Sequence, residues 1–193
     1  MRQSGDTLVY LLVDTSGSTV LHDVNAGCNL ALPAIVEAIS STCGPAARLC
    51  IISYGTGASL RLPLTAVADL VSLPGLEPGG LSSMAAGLRL VAETAAADRE
   101  RLAADGLRYA DPVIVIVVDG LPTDLPADVL LARDAIDTTS GDPPQVHIVA
   151  PPGVDVLALS GLRATIHLLD IGDPRRVADG LAAVVRRVTN RRH

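Results

Sequence analysis

Three stretches of this 193-residue chain are apolar almost without interruption: Leu8–Val13 (LVYLLV), Val113–Val118 (VIVIVV) and Val146–Val149 (VHIV). A strand with one wet face alternates apolar and polar residues, because successive side chains point to opposite sides of a sheet. A run without alternation is dry on both faces, so each face needs a cover. Arg48–Ser53 (RLCIIS) and Thr165–Leu169 (TIHLL) are two further strand candidates. The covers lie between them. Val24–Ile39 places apolar side chains at Val24, Leu32, Ile35, Val36 and Ile39, with Pro33 expected to kink it. Ser82–Ala104 is rich in Ala and Leu and stops before Asp105-Gly106. Asp128–Ile136 and Pro174–Val188 complete the helices, the latter with its proline in the first turn.

Strands alternating with helices predict an α/β fold, doubly wound with right-handed crossovers. The expected sheet has six strands, mostly parallel, with helices on both faces and one antiparallel edge strand. Ala58–Thr65 (ASLRLPLT), which follows Gly55-Thr56-Gly57, is that edge strand, and Pro63 suits an edge. No repeat, low-complexity tract or long linker divides the chain. It reads as a single domain with a core at about 6–188 and a frayed tail at 189–193.

Composition narrows the chemistry. There is no Phe or Trp, so core contacts are aliphatic. There is also no lysine, and all 15 basic residues are arginines. That removes P-loop, Schiff-base and kinase-type chemistries, each of which needs an ammonium. A net charge of −6 argues against nucleic acid as a partner. Arg175, Arg176, Arg186, Arg187, Arg191 and Arg192 suit a solvated last helix whose dipole they complement. Cys28, Cys43 and Cys50 are odd in number and form no C-x-x-C pair, so they read as small core residues in a reducing compartment. The first apolar run is shorter than a signal-peptide core or a membrane span. The expectation is a cytoplasmic protein without membrane contact, although mean hydropathy reaches +0.41.

In doubly wound sheets ligands bind beyond the carboxyl ends of the strands. The first run leads into Asp14-Thr15-Ser16-Gly17-Ser18, and the central run into Asp119-Gly120-Leu121-Pro122-Thr123-Asp124. Two strand-end carboxylates with clustered hydroxyls are the oxygen donors that a hard divalent cation takes. Simpler roles exist for the same residues. Ser16 and Ser18 suit helix N-caps, Asp119 suits a turn, and Asp124 reads as a turn or cap residue outside any metal shell.

These motifs, in this order, resemble the von Willebrand factor A (vWA) domain. There D-x-S-x-S after the first strand, a separate threonine and a later aspartate form a metal-ion-dependent adhesion site (MIDAS). Leu76–Leu90 (LEPGGLSSMAAGLRL) resembles the family's glycine-rich turn into a helix. The D-G-L-P-T-D form and the placement of Pro63-Leu64-Thr65 are most similar to the bacterial tellurium-resistance-associated branch. The resemblance implies a divalent cation, Mg²⁺ or Mn²⁺ with Ca²⁺ also admissible, held by Asp14, Ser16, Ser18, Ser82 and Asp119. A serine stands where the family has threonine, and either Ser82 or Ser83 fits that position. It implies a protein partner offering an Asp or Glu carboxylate, and a scaffold role in a bacterial stress or tellurium-resistance-like system.

Two other functions start from the same residues. A haloacid-dehalogenase-type phosphatase would use Asp14 as nucleophile, but it wants an acid at position 16 and a lysine. A metal-free structural vWA subunit would keep the fold with a decayed site. Serine hydrolysis lacks a G-x-S-x-G elbow. His147 and His167 read as structural histidines within strands, and no histidine pairs locally with a serine.

Overall fold

The computed structural model describes residues 7–21, 23–139, 143–170 and 172–190. Its architecture follows from two strands that must be dry on both sides. β1 (Leu8–Asp14) and β4 (Val113–Val117) are buried at every position and run parallel, side by side. Outward from β1 lie β2 (Arg48–Tyr54), parallel to it, and β3 (Ala58–Ala66), antiparallel to β2. Outward from β4 lie β5 (Gln145–Ala150) and β6 (Thr165–Leu168), both parallel. The order is β3-β2-β1-β4-β5-β6, the six-stranded, mostly parallel sheet with one antiparallel edge that the sequence predicts.

Alternate β1 side chains go to opposite cores. Val9, Leu11 and Val13 meet Leu32, Ile35 and Ile39 of α1 (Val24–Cys43) and Leu181, Val185 and Val188 of α5 (Pro174–Asn190). Tyr10 and Leu12 face α2 (Met84–Ala104) and α3 (Pro126–Asp137), through Leu88, Val91, Val129 and Ile136. Each buried aliphatic side chain contributes roughly 1.5–3 kcal/mol relative to exposure, which lets an almost phenyl-free core hold. Short elements add to this frame: 3-10 turns at Gly17–Val20, Val67–Asp69 and Ser160–Leu162, and a single-turn α4 at Val156–Leu159 capped by Asp155.

Several boundaries differ from the expectation. α1 runs unbroken through Pro33 and on to Cys43, with Pro33 on its exposed side. At 20 residues and a mean hydropathy of 1.2, α1 is long and apolar enough to cross a membrane by those measures alone. Here its apolar face covers the sheet and α5. α2 starts at Met84, with Ser83 as its N-cap, and ends where Gly106 takes a φ of +69°. The second strand of the β5–β6 pair is not enclosed: β6 is a half-exposed edge. α5 extends through Thr189 and Asn190, beyond the expected end of the core. Thr189 is buried because its hydroxyl meets that of Thr42 on α1 at 2.8 Å. The rest of the expected tail, with Arg191, Arg192 and His193, lies outside the described residues, as does His22.

Cys28 and Cys50 are buried and Cys43 partly so, none of them bonded in a disulfide, as core residues would be. His147 on β5 and His167 on β6 share a hydrogen bond between Nδ1 and Nε2 at 3.2 Å, consistent with a structural pair.

α1 meets α5 at Gly27, where a Cβ would collide with the Val177 side chain and stand 3.0 Å from the Pro174 carbonyl. Backbone on one side leaves no room to yield. Gly27→Ala is expected to lower stability by about 1–3 kcal/mol in urea unfolding. Gly75→Ala, where a Cβ meets nothing within 4 Å, is the matched control and should stay within about 0.5 kcal/mol of wild type.

Candidate metal centre

Parallel register brings the two strand-end motifs together. Asp14 closes β1 opposite Tyr54 of β2, while Val13 pairs with Val117, two residues before Asp119. The chain beyond β1 is pinned by backbone bonds. Thr15 donates its N–H and its hydroxyl to the Tyr54 carbonyl at 2.8 and 3.0 Å, and Gly17 N–H donates to the Gly80 carbonyl at 3.0 Å. The glycine turn comes in from the other side. Gly79 N–H donates to the Thr15 carbonyl at 2.6 Å, and Gly80 takes a φ of +81°, which a side chain would resist. The loop after β4 closes the ring, with both N–H and hydroxyl of Thr123 donating to the Ser82 carbonyl. Thr15 and Thr123 stand in the two sequence motifs without a role of their own there, because their bonds depend on long-range pairing rather than on any local spacing.

At the centre stands Asp14, only 1% exposed. Its Oδ1 accepts the Ser16 N–H at 2.7 Å, and its Oδ2 accepts the Ser82 hydroxyl at 2.7 Å. Ser16 and Ser18 hydroxyls lie 3.1 Å apart. Ser16 is positioned as an N-cap for the 3-10 turn, yet its side chain makes no cap bond, which removes the simplest competing role. The two candidate serines separate cleanly. Ser82 points to Asp14, whereas Ser83 donates to Asp124 Oδ1 at 2.8 Å and caps α2 through Ala86 N–H. Asp124 also accepts Ala85 N–H at 3.0 Å. It is a cap, as the sequence suggests, but for α2 rather than for its own turn.

Asp119 makes none of these bonds. Its Oδ2 is buried with no hydrogen-bond partner among the described residues. The electrostatics agree. Burial pushes the Asp14 carboxyl up from its ordinary range, the Ser16 and Ser82 bonds pull against that, and the Asp119 charge adds to the rise. Burial also raises the Tyr54 hydroxyl well above its usual value, helped by the charges of Asp14 and Asp119. Excess negative charge in a dry place, with one oxygen lacking any donor, is what a cation relieves. The donors are oxygens, and no cluster of three or more His, Cys, Asp or Glu suited to a metal exists among the described residues. The set therefore fits Mg²⁺, Mn²⁺ or Ca²⁺ and not a thiolate or imidazole metal.

The buried Asp14 charge burdens the fold. A raised carboxyl favours the folded state while protonated, and that contribution is lost as pH rises through its folded value. In Asp14→Asn the amide oxygen can still accept from Ser16 and the NH₂ can donate to Ser82. The variant is expected to raise the thermal midpoint in EDTA at neutral pH by about 2–4 °C, as about 1 kcal/mol does at this chain length. The gain should disappear below about pH 4, where Asp14 is protonated folded and unfolded alike. Melts across that range by circular dichroism check both points.

No protein-family model matches the chain, and no curated protein sequence matches it. Solved structures do. A von Willebrand factor type A protein from Catenulispora acidiphila superposes with a TM-score of 0.70 at 16% identity, over 96% of this chain and 42% of that one. A mutant of the PilB minor pilin from Streptococcus sanguinis gives 0.69 at 9% identity, over 99% and 63%. The vWF domain of the type V pili tip protein Mfa5 from Porphyromonas gingivalis gives 0.60 at 10%, over 96% and 95%. The chain thus spans less than two thirds of the first two, and Mfa5's domain is matched nearly end to end. The sheet order, the one antiparallel edge and these superpositions converge on a single fold, that of the von Willebrand factor A-type domain.

Proposed function

We propose that the chain is a protein-interaction module that binds its partner through a divalent cation. The observation that carries this reading is the Asp119 Oδ2 buried without a donor beside the hydrogen-bonded Asp14–Ser82 pair. Asp14, Ser16, Ser18, Ser82 and Asp119 would hold the ion, directly or through water. Since three of these five donors are neutral hydroxyls, the ion would keep positive charge to offer an external Asp or Glu carboxylate. Electrophilic attraction for that carboxylate is all that the cation supplies.

The surroundings favour a protein over a small substrate. Leu21, 80% exposed, follows the Ser16–Ser18 turn, and Leu81, 62% exposed, directly precedes Ser82. Val20, Leu121 and Leu125 are also exposed next to the motifs in sequence. Apolar side chains left in water around a polar centre suit a protein–protein patch. The pilus proteins among the structural neighbours support the same kind of role. A stress or tellurium-resistance-like setting rests on the form of Asp119–Asp124 and the placement of Pro63-Leu64-Thr65. Three unpaired cysteines fit a reducing, cytoplasmic one. The phosphatase reading is the weaker: position 16 holds a hydroxyl that hydrogen-bonds Ser18, and the chain has no lysine to stabilise a transferring phosphoryl group.

Calorimetric titration with Mg²⁺ and Mn²⁺ tests the reading directly. Wild type is expected to bind and to gain about 2.7 kcal/mol of stability at a metal concentration near 100 times Kd. Asp119→Ala and Ser82→Ala should lose most of that gain while remaining folded. Ser83→Ala should retain it and lose about 1 kcal/mol of intrinsic stability through its cap. Wild type that binds neither ion overturns the proposal. Metal-dependent phosphate release abolished in Asp14→Asn would establish the phosphatase instead.

A further inference from the structure

Next to the metal centre, a cavity of about 320 Å³ opens at the loop joining β2 to β3. Its polar side chains are Thr15, Ser53, Thr56, Ser59, Arg61 and Glu77, set among glycine backbone at Gly55, Gly57 and Gly79. Ser53 is buried, and its hydroxyl accepts the Arg61 Nε–H at 2.8 Å. That bond holds an otherwise flexible side chain in one orientation. It also leaves the two terminal guanidinium nitrogens uncommitted, for among the described residues Arg61 has no ion-pair partner. An end-on guanidinium of this kind takes a carboxylate through two parallel hydrogen bonds. Hydroxyls at Thr56 and Ser59 provide further donors in the same wall.

The cavity borders the segments that carry the proposed metal donors: Thr15 lies between Asp14 and Ser16, and Gly79 lies three residues before Ser82. Thr15 lines it, while its neighbour Asp14 faces Ser16 and Ser82. An extended peptide gains about 3.3 Å per residue, so a segment a few residues long spans from the cavity to the strand ends. Glu77 lines the cavity too and opposes any anion there, which gives the site two charges of opposite and separately testable effect.

We infer that Arg61 is a second anchor for the partner: the cavity takes one carboxylate while a nearby carboxylate of the same segment completes the metal shell. The module would then read a pair of acidic side chains, not a single one. This rests on the metal-dependent reading above. A lone carboxylate binding to an exposed ion is weak and indiscriminate, whereas two anchors within reach of one segment add affinity through effective concentration and fix the direction of that segment.

The experiment uses capped synthetic peptides carrying one glutamate, or two glutamates separated by no, one or two glycines, titrated calorimetrically into the protein in saturating Mg²⁺. Wild type is expected to prefer the best-spaced two-glutamate peptide over the single-glutamate one by about tenfold, near the lower end of what hydrogen bonding to a charged group contributes. Arg61→Gln should erase that preference while leaving Mg²⁺ affinity and single-glutamate binding unchanged. Arg61→Lys should retain part of it, and Glu77→Gln should enlarge it. Melting curves of each variant establish that it is folded. An unchanged preference in Arg61→Gln, or no preference in wild type, overturns the second anchor and leaves the metal reading standing. Wild type that binds no Mg²⁺ overturns both. Replacing the second glutamate with phosphoserine distinguishes the anion: stronger binding of the phosphopeptide through Arg61 would overturn carboxylate as the intended ligand.

Discussion

β1 and β4 can be dry on both faces only at the middle of a sheet with helices above and below, and the rest of the molecule is arranged around that requirement. Parallel pairing of the two strands aligns their carboxyl ends, so each chain segment that leaves the dry region does so at the same edge. The residues there must change character abruptly, from Val13 to Asp14 and from Val118 to Asp119. Polar chemistry collects at that edge because the sheet interior excludes it.

What holds the edge in shape is mostly backbone. Thr15, Gly17, Gly79, Ser83 and Thr123 tie four loops to one another through main-chain carbonyls. The carboxylates are therefore held near one another by bonds that do not involve them. Fixed loops under unfavourable charge are a form of preorganisation: the fold itself carries the desolvation of Asp14, and under the proposed function a cation would meet donors that need little rearrangement.

Much of this was legible in the sequence, and unevenly. Unalternating apolar runs revealed the buried strands, and the Asp-led turns after them marked the rim, since both signals are local. Local spacing did not separate Ser82 from Ser83. Their hydroxyls differ only in which distant carboxylate they meet, Asp14 or Asp124. Nor did it show that α1 continues past Ile39, because its last turn is held by Thr42 bonding to Thr189 far along the chain. Arg61 looked like an unremarkable edge-strand residue. Its interest comes from Ser53 across the β2–β3 hairpin, and from the absence of an acidic neighbour bonded to it among the described residues.

Asp124 joins the rim to the body of the molecule. Its carboxylate receives the Ser83 hydroxyl and the Ala85 N–H, so the loop that begins at Asp119 also caps the first turn of α2. A shift of that loop lets go of two donors at once, in a helix that spans Met84–Ala104. The turn after β4 and the first turn of α2 are thus one hydrogen-bonded unit, and the rim shares its footing with a helix of 21 residues.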